Sequence, residues 1–328
     1  MKRKILSESD SESENEHNVE KLQDLVDLAF AYQKSYKGNA DIEKLWRIRH
    51  SLKKLNDLIG LGDLKNDIMN QIMFVIQSLN GNEMMHTALM GPPGVGKTTV
   101  AKLIAEIYTK LGNLSKGVFK IAGREDLVGE YLGQTAVKTR KLMESCRGGV
   151  LFIDEAYSLG NGKANQDSYS KECIDTITKF LSENTKDFVC IIAGYTEELN
   201  EHFFNTNPGL NRRFPWKYTL KQYEPVELKN IFVHQLIRAK WRFRKREYFK
   251  TLENLISENK DLFENNGGDI ENYISACKIM HSKRMFGKPR TWKRYITCAD
   301  LKAGMEMYKS HKEVNKKEEK GVMPHMYL

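Results

Sequence analysis

Gly91-Pro92-Pro93-Gly94-Val95-Gly96-Lys97-Thr98 is the stretch on which the reading of this chain turns. Two glycines bracket four residues, and a lysine and a threonine come after the second. Just ahead lies the apolar run Met85-His86-Thr87-Ala88-Leu89-Met90, short enough for a buried strand. Just behind, from Thr99 to Leu111, Val100, Leu103, Ile104, Ile107 and Leu111 recur at helical spacing. Strand, glycine loop and helix, in that order, is the context in which this pattern holds phosphate. Several backbone N–H groups must turn into one concave loop, and glycine allows the dihedrals this needs. The helix N-terminus adds partial positive charge. Lys97 then reaches the β- and γ-phosphates, and Thr98 offers a hydroxyl to Mg²⁺. Pro93, Gly94, Val95, Gly96 and Thr99 complete the expected nucleotide loop.

A second stretch supplies acids. Gly148-Gly149 precedes Val150-Leu151-Phe152-Ile153-Asp154-Glu155. A buried parallel strand delivers its C-terminal neighbours to the carboxyl edge of the sheet, where ligands gather. Asp154 is expected to hold Mg²⁺, directly or through water. Glu155 is expected to orient and polarise the attacking water. The most apolar run, Phe188–Ala193, ends at Gly194-Tyr195-Thr196, so a polar side chain there meets the γ-phosphate if this strand adjoins the one bearing Asp154. Ahead of the phosphate loop, Ile59, Gly60 and Leu61 suit one wall of an adenine pocket; ordinary core is the competing reading. Arg212 and Arg213 close the loop Asn207–Phe214. A planar cation suits the charge that builds on phosphoryl oxygens, whereas arginines in loops more often form surface ion pairs. Tyr131-Leu132, between Gly129 and Gly133, reads as an exposed loop with an apolar tip.

The bulk numbers set the frame. The chain has 328 residues, 40% apolar and 29% charged, with a net charge of +9. That allows two domains, or one domain with a lid and extensions. The basic residues are dispersed, so a solvated surface explains the charge better than a polyanionic partner does. Five cysteines without paired spacing, Cys146, Cys173, Cys190, Cys277 and Cys298, indicate a reducing compartment and neither a disulfide nor a zinc framework. No apolar run spans a bilayer and no secretory signal is visible, so a cytoplasmic location is expected, with the nucleus left open.

Along the chain, residues 1–17 alternate serines 7, 9, 11 and 13 with acids, a disorder-prone tail that either receives phosphate or merely solubilises. Residues 18–52 form a helical extension of two helices, one over 18–36 and one opening at Asp41. Residues 53–222 form the nucleotide domain, with helices over 64–79, 135–146 and 168–181 and a strand over 118–122. Residues 223–310 form a lid, with helices after Pro225, over 269–286 and over 300–309. Residues 311–328 form a loose charged tail. Within the lid, Arg238–Lys250 interleaves bases with Trp241, Phe243, Tyr248 and Phe249. It reads either as a nucleic-acid contact through phosphates and stacking or, preferably, as an amphipathic lid helix with its aromatics inward.

Together these stretches resemble the AAA+ ATPases, within them the group that contains red-type Rubisco activase and stage V sporulation protein K. The resemblance rests on GPPGVGKTTVAKLIAEI, EDLVGEYLGQTAVKT, GGVLFIDEAYSL, IIAGY and NPGLNRRF. It covers about residues 53–225 well and the region to about 310 loosely. It implies an α/β fold, a five-stranded parallel sheet with flanking helices followed by a small helical lid. It also implies a homo-oligomeric ring, usually of six subunits, with ATP at each junction. Lys97 and Thr98 match the phosphate-loop positions, and Asp154 and Glu155 the magnesium and water-activating acids. Tyr195 falls at the first sensor, Arg213, ahead of Arg212, at the arginine finger that acts on a neighbour's ATP, and Tyr131-Leu132-Gly133 at the pore loop that grips a polypeptide. One departure stands out. Where the family carries a lid arginine that touches the γ-phosphate, this chain has Gly268, with Asp269 reading as helix N-cap and Lys278, Lys283 or Arg284 as substitutes. The expected function is Mg²⁺-dependent ATP hydrolysis coupled to remodelling of a protein client. A nucleic-acid motor or loader and a nucleotide-gated scaffold with little turnover are the alternatives.

Overall fold

Five short runs become strands because three of them can be buried throughout and the other two can cover the edges. In the computed structural model, which describes residues 19–31, 39–81, 83–131, 133–160, 168–288 and 293–319, the order begins with helices α1 (Leu22–Ala31), α2 (Ala40–Asn56) and α3 (Gly62–Ile76). Then come β1 (Thr87–Met90), α4 (Lys97–Leu111), β2 (Val118–Ala122), α5 (Arg124–Leu127), α6 (Thr135–Ser145) and β3 (Gly149–Ile153). After a 3₁₀ turn at Ala156–Leu159 come α7 (Ser168–Glu183), β4 (Phe188–Gly194), α8 (Thr196–Glu198), a π-helical turn at Leu199–Phe204, α9 (Gly209–Arg213) and β5 (Trp216–Thr219). The lid comprises α10 (Pro225–Arg238), β6 (Arg242–Phe243), α11 (Tyr248–Glu258), α12 (Asn266–Met285), β7 (Tyr295–Ile296) and α13 (Cys298–Glu319). The serine-rich tail 1–17, Leu132, the polar loop 161–166 and residues 320–328 lie outside the described residues.

The main sheet is wholly parallel, in the order β2-β3-β4-β1-β5. Every residue of β3 and β4 is buried, as a sheet covered on both faces requires. Alternation then divides the core in two. Val150, Phe152, Val189 and Ile191 face α1–α4 and the lid, whereas Leu151, Ile153, Cys190 and Ile192 face α6 and α7. The edge strand β5, Trp-Lys-Tyr-Thr, is only partly buried, and its mixed composition hid it in the sequence.

Local signals fix the ends. The Asn39 side chain accepts from the N–H groups of Asp41 and Ile42 and starts α2. Gly112, at φ 86°, ends α4. Pro225 opens α10, and Glu227 reaches back to the Glu224 N–H at 2.8 Å. The N-terminal extension packs on the nucleotide domain: Lys54 of α2 pairs with Glu106 of α4 at 3.0 Å, and Lys110 joins at 2.7 Å. These pairs hold the Glu106 carboxyl down at about 2 against the opposing effect of burial.

Three expectations for the lid need correction. Arg238–Lys250 is not a helix. It is the end of α10, a turn through Lys240 at φ 62°, a two-residue strand and the start of α11. Its aromatics do turn inward: Phe243 stacks on Phe232 with centroids 6.1 Å apart, and Trp241 meets His281 edge-on at 5.1 Å. Helix α12 starts three residues earlier than Asp269, behind Asn265. Asp269 instead accepts the Asn265 N–H at 2.7 Å and pairs with Lys312 at 2.9 Å. Helix α13 runs on to Glu319 rather than ending near 309. Two aromatic contacts, Phe232–Tyr273 at 5.2 Å and Phe263–Tyr308 at 5.7 Å, fill the centre of the lid. Buried Asp300 ties α13 to α12 by accepting from Arg284 at 2.7 and 2.8 Å, from the Thr297 N–H at 2.9 Å and, at 3.0 Å, meeting His281.

Cys146, Cys173, Cys190, Cys277 and Cys298 are all unbridged thiols. Among the described residues no helix is long and apolar enough to cross a membrane, and no group of three or more His, Cys, Asp or Glu is placed to hold a metal by itself.

Candidate functional site

The loop between β1 and α4 curls because Gly94 and Gly96 sit at φ 70° and 92°, the left-handed region. Gly96 is also the N-cap of α4, so the helix points its first N–H groups into the curl. Lys97 lies back across the loop and donates to the carbonyls of Gly91 and Pro92, both at 2.8 Å. Burial lowers its pKa, while the nearby carboxylates of Asp154 and Glu155 act in the opposite direction. The two acids and the lysine are therefore neighbours, as the sequence anticipated.

Asp154 and Glu155 leave the carboxyl end of β3, and Gly194 and Tyr195 that of adjacent β4, where Ile153 pairs with Ile192. The Glu155 backbone is at φ 49°, a conformation of some cost to a non-glycine residue that clusters at functional sites. Its N–H donates to Asp154 Oδ1 at 3.1 Å. Tyr195 stands with its ring centroid 5.7 Å from Lys97 Nζ and 5.8 Å from the ring of Tyr157. Burial, and next the Glu155 carboxylate, push the Tyr157 hydroxyl up to about 12.

These groups border one cavity of about 750 Å³, a size suited to a nucleotide. Pro93–Thr99 form its floor and Asp154, Glu155, Tyr157 and Tyr195 one end. Leu58, Ile59 and Leu61 form an apolar wall, joined by Lys54 and Asp57 from α2 and its end. Gly60 does not line it: at φ 65° it is turned to the lid, where a Cβ would lie 2.2 Å from Glu227 Oε1. The roof is α10 and α12, through Ile231, His234, Gln235, Arg238, Gly267, Gly268 and Glu271.

The lid grips the loop itself. Tyr223 donates its hydroxyl to Val95 O at 2.9 Å, Asn266 donates Nδ2 to Pro93 O at 3.1 Å, and the Gly267 N–H reaches Gly94 O at 3.1 Å. Asn266 Oδ1 in turn accepts the Tyr223 N–H at 3.0 Å. Three consecutive carbonyls of the loop are thus capped by the lid. Tyr223 and Asn266 escaped the sequence reading, as did Tyr157, Lys54 and the α10 face. Only the last left a signal, the i, i+3, i+4, i+7 spacing of Ile231, His234, Gln235 and Arg238.

The remaining expected residues lie off the cavity. Arg213 donates Nε to Ser182 Oγ and Nη1 to Gly209 O, both at 2.8 Å, while Arg212 is exposed. Tyr131 is 67% exposed and Gly133 is at φ 82°; Leu132, between them, is outside the described residues. Of the proposed lid substitutes, Arg284 is bound to Asp300, and Lys278 sits 5.8 Å from the Trp241 ring. None of Lys278, Lys283 and Arg284 lines the cavity.

Comparison with known proteins places this arrangement. Residues 87–215 match the model of the ATPase family associated with various cellular activities. A putative CfxQ-like protein of Acanthamoeba polyphaga mimivirus is 38% identical over 298 residues, covering 88% of this chain and 72% of its own. Stage V sporulation protein K of Bacillus subtilis is 35% identical over 249 residues, 71% of this chain and 75% of its own. The CfxQ homolog of Galdieria sulphuraria is 30% identical over 88% of this chain and 93% of its own. In fold, the chain is similar to the FIGL-1 AAA domain solved with ADP (TM-score 0.56, 18% identity, 80% of this chain and 89% of that one). It is likewise similar to RuvB of Thermotoga maritima (TM-score 0.53, 18% identity, 77% and 72%). The phosphate loop, the paired acids at the sheet edge, the roofing lid and these relatives agree: the chain belongs to the AAA+ ATPases, in the group of red-type Rubisco activase and stage V sporulation protein K.

Proposed function

We propose that the cavity between the nucleotide domain (residues 53–222) and the lid (223–310) binds Mg²⁺-ATP, that Glu155 drives its hydrolysis, and that the subunits assemble into a ring, a hexamer by kinship, that remodels a protein client. The observation that carries this reading is the convergence of Lys97, Asp154, Glu155 and Tyr195 on one nucleotide-sized cavity above a helix N-terminus. Oxygen donors suit Mg²⁺, which binds through few protein ligands and keeps several waters; Thr98 and Asp154 line the cavity and offer a hydroxyl and a carboxylate. When bound, Mg²⁺ neutralises charge on the β- and γ-phosphate oxygens.

The chain's own residues do the rest. Lys97 exchanges its two carbonyl partners for phosphate oxygens. Glu155, exposed to the cavity, takes the proton of the attacking water. Tyr195 orients the γ-phosphate, and Ile59 and Leu61 cover one face of the adenine. Arg213 is absent from its own subunit's cavity, as befits a guanidinium that serves a neighbour's site after leaving Ser182 and Gly209. Tyr131, exposed between two glycines, suits a grip on a threaded chain, with Leu132 and Gly133 beside it. Unbridged, mostly buried thiols accord with a reducing compartment.

The nucleic-acid alternative gains nothing from the lid aromatics, which pack on one another rather than offering stacking faces. The test is a pair of variants. Lys97→Ala should abolish nucleotide binding, whereas Glu155→Gln should retain ATP and lose turnover about 100-fold or more. Normal turnover by Glu155→Gln would refute the assignment, and stimulation of turnover by DNA or RNA at low salt would favour the alternative.

A further inference from the structure

We propose that Arg238, the last residue of α10, is the lid residue that contacts the terminal phosphates of bound ATP, across the space left open at Gly268. This deepens the ATP-binding reading above and rests on it. Bound ATP carries several negative charges, so each cation in its cavity acts on it. Among the described lining residues the permanent cations are Lys54, Lys97 and Arg238. Lys54 is committed to Glu106 at 3.0 Å, and Lys97 belongs to the floor. The Arg238 side chain is exposed and makes no hydrogen bond or ion pair among the described residues, with Glu271 on the same wall or otherwise.

Its position follows from helix geometry. Ile231, His234, Gln235 and Arg238 form one face of α10, and all four line the cavity. Gln235 Nε2 donates to Gly267 O at 3.1 Å, which fixes this part of α10 beside the first turn of α12. Arg238 lies one turn further along that face. Gly268 leaves room: a Cβ built there meets nothing within 4 Å. The lid thus supplies an uncommitted planar fork, the geometry that matches phosphate oxygens in pairs, in a cavity that Gly268 also lines without a side chain to fill it.

ATP and ADP differ by the phosphate this fork would reach, so the two affinities separate the proposed contact from a general role. The experiment titrates the full chain, in the Glu155→Gln background with Mg²⁺, with fluorescent analogues of ATP and ADP. Arg238→Ala should weaken ATP about 10- to 100-fold, the range for a hydrogen bond to a charged group, and change ADP less than about threefold. Arg238→Lys should fall between, and adding Gly268→Arg to Arg238→Ala should recover most of the loss. If Arg238→Ala keeps the parent's ratio of ATP to ADP affinity, by leaving both unchanged or weakening both alike, the proposal is overturned. If the parent binds neither analogue, the ATP reading itself falls and takes this contact with it. Binding by the parent that Lys97→Ala abolishes leaves the ATP reading intact, so failure at Arg238 is then read separately.

Discussion

Asn266 is the most informative residue to change. It is fully buried, its backbone is at φ 49°, and its amide joins three groups: the Tyr223 N–H at 3.0 Å, Pro93 O at 3.1 Å and Glu264 O at 3.2 Å. Asparagine tolerates the left-handed region better than most residues, whereas alanine there costs about 1 kcal/mol. Asn266→Ala also strips the Tyr223 N–H of its acceptor, at about 1–3 kcal/mol for a buried orphan. Together these predict a loss of about 2–4 kcal/mol, or a fall in melting temperature of roughly 3–6 °C for a chain of this size. Because one of the lost bonds ends on the phosphate loop, ATP affinity should fall as well. Asn266→Gly removes the same bonds without the backbone cost, so it should recover about 1 kcal/mol and none of the ATP affinity. The assay is thermal unfolding with and without Mg²⁺-ATP, paired with nucleotide titration. An alanine variant that melts within a degree of the parent and binds ATP equally would refute the idea that the lid is read through this side chain.

Two further outcomes concern single sites. His86 is buried, its Nδ1 accepts the Cys190 N–H at 3.1 Å, and burial lowers its pKa from 6.5 to about 4; the unfolded chain therefore takes up the proton first. Stability should be full above pH 6.5 and decline by about 3 kcal/mol as pH falls toward 4. His86→Asn, which keeps an acceptor, should flatten the slope between pH 6.5 and 5 in melting curves, and parallel curves would contradict this. Gly94→Ala should abolish nucleotide binding in a folded protein, since its Cβ would lie 2.0 Å from Asn265 O at φ 70°; circular dichroism with nucleotide titration checks both halves.

The phosphate loop and the paired acids were legible in the sequence because the residues that form them lie in contiguous stretches. A glycine loop needs its glycines side by side, and a buried strand announces itself as an apolar run before delivering Asp154 and Glu155. The central strands β3 and β4 were readable for the same reason. The hidden features depend on distant pairings. Strand β5 has a mixed composition because only one side of it is covered. The start of α12 is hidden because Asn265 and Asn266 look like loop residues, whereas the lid uses them against Gly94 and Pro93, over 170 positions away in the case of Asn266. Arg238–Lys250 read as a helix from spacing alone, and the turn at Lys240 breaks it with no glycine or proline to announce it. Arg284 looked available as a cation, but its partner Asp300 sits on another helix.

The pairing of Lys54 with Glu106 bears on how the molecule can be divided. Helix α2 braces α4 behind the phosphate loop, and the same helix, with the residues just beyond it, supplies Lys54, Asp57, Leu58 and Ile59 to the cavity. A fragment cut to begin at the first strand would keep the phosphate loop and the paired acids and lose one whole wall of the cavity. The walls of the cavity therefore begin in the sequence well before the stretch that identifies it.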